Sequence, residues 1–183
     1  MGLVTEGITE IIAVTRGNAA PIGIIQRPGQ NPSLILFKGS QTEQRIRTYG
    51  RFTANFVADA YLYADYAFND VKTEDLADDG EYQYLKSADA YVKYTAKVTH
   101  ETEQTYMLEL TQEGSDVVLH PGIRRVNRGF DAVIDAAVHA TRYVRSHDPE
   151  LAERIRYDLG LIRKCGGQRE QEAGELLRKV CGL

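Results

Sequence analysis

No apolar run in this sequence approaches the roughly 20 residues that a membrane-spanning helix requires. The opening, MGLVTEGITE, has no basic stretch followed by an apolar one, so no secretory leader is expected and the chain is expected in the cytoplasm. Glu6 stands where an N-myristoylation signal carries Ser or Thr. Cysteine is scarce. Cys165 and Cys181 suit neither a zinc motif nor a redox C-x-x-C, and reduced, packed thiols are expected. His100, His120, His139 and His147 form no H-x-x-x-H or comparable pair, so no metal site is expected. A G-x-S-x-G elbow, a Walker loop and a G-x-G-x-x-G fingerprint are all missing, which leaves side-chain catalysis without a visible candidate. Excess positive charge is missing too. A net charge of −4 supplies no broad cationic face for nucleic acid, and any anion site has to be local.

What is present is ordinary for a globular protein: 43% hydrophobic and 26% charged residues without a low-complexity tract. The 183 residues suit one domain, or one with a small appendage, and can bury a real core.

The chain is organised around residues 33–55, SLILFKGSQTEQRIRTYGRFTAN. Ser33 to Phe37 has the length of a strand, and Lys38-Gly39 breaks it. Ser40-Gln41-Thr42-Glu43 has the S-x-x-E form of a capping box, which starts a short helix. Ile46 and Tyr49 share one face of that helix, Gly50 stops it, and Phe52 to Val57 resumes a strand. Such a turn gathers free N–H groups, the Ser40 and Thr42 hydroxyls, Arg45 and Arg47 around one point. Unsatisfied donors at the positive end of a helix hold a phosphate in this way, and arginine adds charge-assisted bonds. The plainer reading is a capped helix start with solvated arginines.

Ile8 to Thr15 is β-branched and reads as a buried strand. Asn18-Ala19-Ala20-Pro21-Ile22-Gly23 follows a turn; small residues and a proline in a strand mark either a bulged barrel edge or a flat ligand lying against the backbone. Residues 56–68 predict a strand running into a short helix. Tyr61, Tyr63 and Tyr66 could stack on a planar ligand or pack a core or subunit interface. Asn69 to Glu81 is acidic and reads as an exposed loop. Ala88 to Thr99 alternates as a strand, with Ala90, Val92, Tyr94, Ala96 and Val98 on one face. Tyr106 to Thr111 and Asp116 to Leu119 read as a hairpin around a Gln-Glu-Gly-Ser turn. Six or seven strands at this spacing predict an antiparallel sheet closed as a barrel. After His120-Pro121-Gly122 the period changes to that of three helices. Their apolar stripes are Val133, Ala136, Ala137, Ala140 and Val144; Ala152, Ile155, Leu159 and Ile162; and Ala173, Leu176, Leu177 and Val180.

Asn18-Ala19-Ala20-Pro21 together with Thr42-x-x-x-Ile46-x-x-x-Gly50-x-Phe52-x-x-Asn55 resembles the two signatures of flavin-reductase-like, FMN-binding split-barrel proteins. With Asn127-Arg128-Gly129-Phe130 and the helix that follows, the whole chain resembles an archaeal-type family of unknown function, whose members add a C-terminal helical extension. The implied fold class is mainly β with α: an antiparallel split β-barrel over residues 1–122 and a helical subdomain of about three helices over 123–183. The resemblance also implies a homodimer with FMN in clefts between subunits. Carried over, Gly39, Ser40, Gln41 and Thr42 would hold the phosphate with Arg45 or Arg47. Asn18, Ala20, Pro21, Ile22 and Gly23 would run beside the ring or ribityl chain, with Asn55 close by. Arg45 replaces the usual asparagine of the block, and Gly23 replaces a common serine.

The expected function is an FMN-dependent oxidoreductase whose second substrate is a nicotinamide nucleotide or another small molecule. The alternatives are an FMN carrier or sensor without turnover, and a dimeric β-barrel interaction module. No catalytic residue is nominated; His120 and His139 are the titratable candidates.

Overall fold

The computed structural model describes residues 2–122 and 127–183, so the expected domain boundary at 122/123 abuts residues outside those described. Its elements run β1 (Gly7–Thr15), β2 (Asn18–Gln26), β3 (Ser33–Phe37), α1 (Gln41–Tyr49), β4 (Arg51–Phe56), α2 (Ala60–Tyr66), a short 3₁₀ turn (Thr73–Asp75), β5 (Leu76–Asp79), β6 (Tyr82–Leu85), β7 (Ala90–Glu101), β8 (Thr105–Val118), α3 (Arg128–Ser146), α4 (Pro149–Cys165) and α5 (Gln168–Cys181). Contacts divide the described residues into two units, 2–57 with 70–122 and 58–69 with 127–183.

The first unit is an antiparallel barrel in the order β1-β2-β3-β8-β7-β4, closed by pairing of β4 with β1. Alternation along each strand fills its interior with Ile11, Ala13, Ile24, Leu34, Leu36, Phe52, Val92, Tyr94, Leu108 and Leu110, joined by Ile46 from α1. Phe52 and Tyr94, a cross-strand pair, stack at 5.7 Å.

Three local expectations are revised. Residues 76–85 form the β5–β6 hairpin instead of an exposed loop: Leu76, Tyr82 and Leu85 are buried, and alternation over four-residue strands is too brief to read beside so many acids. Residues 106–119 do not turn back as a hairpin. β8 is one strand because β7 is long enough to pair with both halves, and Gln-Glu-Gly-Ser falls in a bulge where Gly114 takes φ +73. The Gln112 amide donates to the Gly114 carbonyl (3.1 Å) and to Asp116 (2.9 Å), closing the bulge with side-chain bonds. Tyr49, expected beside Ile46, is exposed under the Arg16 guanidinium.

The second unit is helical. α2 starts where the Asp59 carboxylate caps the Tyr61 N–H, and it packs with α3 and α5. The core joins Ala60 and Ala64 to Val133, Ala136, Ala137, Ala140, Ile155, Leu159, Ile162, Ala173 and Leu177. The three C-terminal stripes therefore face inward as their spacing predicts, except that Val144 lies outside and Val180 is half-buried beyond the core. Tyr63 and Tyr66 are buried, and Tyr61 lies half-buried beneath the Arg169 guanidinium. Cys165 and Cys181 are free thiols, the second buried with its pKa pushed up by that burial.

The start of α3 meets the end of α4 through bare backbone. A Cβ on Gly129 would stand 2.5 Å from the Gly166 Cα and 2.6 Å from its nitrogen, neither of which can turn aside. Gly129→Ala is expected to cost about 1–3 kcal/mol, read as a lower urea midpoint at unchanged slope.

Asp158 of α4 is buried 3.4 Å from His139 Nδ1 of α3. Burial raises its carboxyl pKa more than His139 lowers it, and Asp135 adds like-charge repulsion. Folding thus favours the protonated carboxyl. Its stabilising contribution is complete below the unfolded pKa and is lost as pH rises through the folded one. Asp158→Asn should melt higher than the parent at neutral pH, by about 2–4 °C, with the gap closing in acid. An unchanged gap across that range would show that the charge is not the cause.

Candidate anion-anchoring site at the first helix

The α1 N-terminus is built from local sequence. The Ser40 Oγ accepts from the Glu43 N–H (3.2 Å) and donates to the Phe37 carbonyl (3.0 Å). The Glu43 carboxylate, buried, accepts from the Gly39 N–H (3.0 Å) and from Arg47 Nη1 (2.8 Å). The Ser40 and Gln44 N–H groups go to Phe37 and Ser40 carbonyls. This leaves the N–H groups of Gln41 and Thr42 with no acceptor among the described residues. Ser40, by contrast, is committed to the cap, and Gly39, at φ +83, makes the turn that precedes it.

Tertiary contacts then tie this helix end to the β1–β2 turn. Asn18 Nδ2 donates to the Thr42 Oγ at 3.0 Å, joining the two sequence motifs in one buried bond. Arg45 Nη1 donates to the Arg16 carbonyl at 2.8 Å, where the chain passes through φ +43 at Arg16 and +76 at Gly17. The guanidinium is half-buried and keeps further N–H donors for an anion.

Arg47 does not join this group. It lies over the Tyr106 ring at 4.1 Å, where Lys38 also sits at 4.7 Å. Lys38 donates to Glu101, which raises the lysine pKa and lowers the carboxyl's. The sequence marks Glu43 only as half of the capping box, and it gives no sign that Arg16 and Tyr106 neighbour the site. Folding alone brings those two to α1.

Beyond Asn18, strand β2 carries Ala20, Pro21, Ile22 and Gly23 along β1, opposite Ala13, Ile12, Ile11 and Glu10. Its other edge meets β3 only at Ile25–Ser33, so, among the described residues, residues 18–24 have a strand neighbour on one side only. The space beside Gly23 is already occupied on one face: a Cβ there would stand 2.8 Å from the Ile8 Cγ2 and 3.3 Å from the Glu10 Oε1. The Ile8 and Glu10 side chains of β1 thus crowd one face of that glycine.

Asn55, 0% exposed, lies on the outer face of β4 beneath the β5–β6 hairpin. Its amide donates to the Ile12 carbonyl (3.0 Å) and to Thr53, and its oxygen accepts from the Leu85 N–H (2.8 Å). It ties β1, β4 and β6 together. His120 is exposed and His139 pairs with Asp158.

A protein-family model described as "Protein of unknown function (DUF447) N-terminal domain" matches residues 9–118, and one described as "Protein of unknown function (DUF447)" matches 127–179. An FMN-bound protein from Methanosarcina mazei, solved by crystallography, is 34% identical, with 97% of this chain and 96% of that chain covered at a TM-score of 0.89. A flavoredoxin from Methanosarcina acetivorans is 13% identical over 65% of this chain and 72% of its own, at a TM-score of 0.46. Nitrilotriacetate monooxygenase component B from Mycobacterium thermoresistibile is 15% identical over 67% and 73%, at 0.45.

Proposed function

Because this chain belongs to the DUF447 family, we propose that it binds FMN and works as a flavin-dependent oxidoreductase on a small molecule. The observation that supports this most is the set of unspent donors at α1: the Gln41 and Thr42 N–H groups with the Arg45 guanidinium, beside the unpaired edge of β2. A phosphate monoester needs such a donor cluster at a helix end, and a planar ring system needs an open strand edge. The M. mazei protein, similar over nearly its whole length, is FMN-bound.

In this reading Gln41, Thr42 and Arg45 take the phosphate, while Ala20, Pro21 and Ile22 border the ring or ribityl chain. Gly39, Ser40 and Glu43 shape the turn, Arg47 balances the Glu43 charge, and Gly23 and Asn55 support the strands. FMN, when bound, supplies the electron transfer; the protein fixes its orientation and surroundings. The reading includes a homodimer. Ile35, Met107 and Phe37, the last 55% exposed, form an apolar row on the outside of β3 and β8, a face of the kind that subunits cover. Phe37→Glu is then expected to shift the protein from dimer to monomer in sedimentation.

The test is an absorption spectrum of the purified protein, followed by anaerobic mixing with NADH or NADPH. Bound FMN that bleaches supports a reductase. FMN that stays yellow under several reductants points to a carrier, and a protein that stays colourless in excess FMN refutes the whole reading.

A further inference from the structure

Asn18 and Thr42 lie 24 positions apart, yet each is only 7% exposed and they share a hydrogen bond of 3.0 Å. The direction of that bond matters. The Asn18 amide nitrogen can only donate, so it occupies a lone pair of the Thr42 Oγ and turns the hydroxyl hydrogen away from itself. No acceptor for that hydrogen exists among the described residues. A threonine near a helix start ordinarily rotates its hydroxyl to whichever partner suits, a backbone carbonyl included. A buried hydroxyl held with its donor unspent, in the same turn as two unspent N–H groups, is incomplete until an anionic oxygen arrives.

We infer that Asn18 is a positioning residue: by donating to the Thr42 Oγ it presents the threonine hydroxyl as a donor to an anionic oxygen bound at the start of α1. The inference rests on the FMN reading, in which the phosphate is that anion. It assigns Asn18 to the phosphate end of the ligand, whereas the family resemblance would set it beside the ring or ribityl chain. The step transfers no proton and breaks no bond; its effect is to orient one donor.

Riboflavin, which lacks the phosphate, makes the test specific. Dissociation constants for FMN and riboflavin are measured by quenching of flavin fluorescence, with the melting of each apoprotein recorded alongside. Thr42→Val and Asn18→Leu are each expected to weaken FMN by about tenfold or more, the worth of one hydrogen bond to a charged group, and to leave riboflavin binding unchanged. Asn18→Leu added to Thr42→Val should cost nothing further, because the hydroxyl it orients is gone. Thr42→Ser should retain both the FMN affinity and its dependence on Asn18. If Asn18→Leu does not fold, Asn18→Ala serves in its place: it removes the donor without adding a charge and should likewise cost nothing further in the Thr42→Val background. Equal weakening of FMN and riboflavin by Asn18→Leu, or full additivity with Thr42→Val, would overturn the inference while leaving FMN binding intact. Failure of the unsubstituted protein to bind FMN would overturn the reading beneath it as well.

Discussion

Replacing Thr42 and Arg45 together by alanine is expected to lower FMN affinity by about 10²- to 10⁴-fold while the barrel stays folded. Each side chain supplies a hydrogen bond to a dianion, and bonds to charged groups are worth about 1.5–3 kcal/mol apiece. The structural cost is small by comparison. Arg45 holds one backbone carbonyl at the surface, and loss of the Thr42 hydroxyl strands one amide hydrogen of Asn18, for a combined cost of about 1–2 kcal/mol. The backbone donors of Gln41 and Thr42 survive the change, so affinity falls without vanishing. FMN titration and thermal melting of the apoprotein separate the two effects. Unchanged flavin content in a folded double variant would move the anion site elsewhere on the chain.

Asn55→Leu is expected to be the most damaging single change in the barrel, at about 3 kcal/mol or more. The amide is fully buried and spends both its ends on backbone: Ile12 of β1 accepts from it and Leu85 of β6 donates to it. A leucine of similar size strands those groups away from water, and buried orphans cost about 1–3 kcal/mol each. The neighbouring Thr53 hydroxyl, which donates to the Gln83 carbonyl at 2.6 Å, loses its own donor from Asn55. Urea denaturation should show a large fall in midpoint. The FMN affinity of the remaining folded fraction should stay near that of the parent, because Asn55 is buried beneath β6 and spends its amide on backbone. A variant that melts normally but loses FMN would reverse the assignment and make Asn55 a ligand contact.

The cap at Ser40, the stop at Gly50, the strand at 33–37 and the apolar stripes of α3, α4 and α5 were legible because each depends on residues within a few positions of one another. Other features read ambiguously for an equally physical reason. Gln-Glu-Gly-Ser suits a turn or a bulge, and only the reach of β7 past it selects the bulge. Gly23 suits a ligand or a crowded neighbour, and the Ile8 and Glu10 side chains show crowding on one of its faces. The three tyrosines of 61–66 suit a platform or a core, and helices more than sixty positions away turn two of them inward.

By itself, the sequence determined where helices begin, which residues face a core, and that a donor-rich turn opens α1, since capping and periodicity are short-range effects. Only the tertiary structure decided that Asn18 meets Thr42, that Arg45 stays with this turn while Arg47 leaves for Tyr106, and that Asn55 is buried against β6. Those outcomes depend on strand pairing across tens of residues. The partner of a polar side chain is fixed by which backbones the barrel brings together.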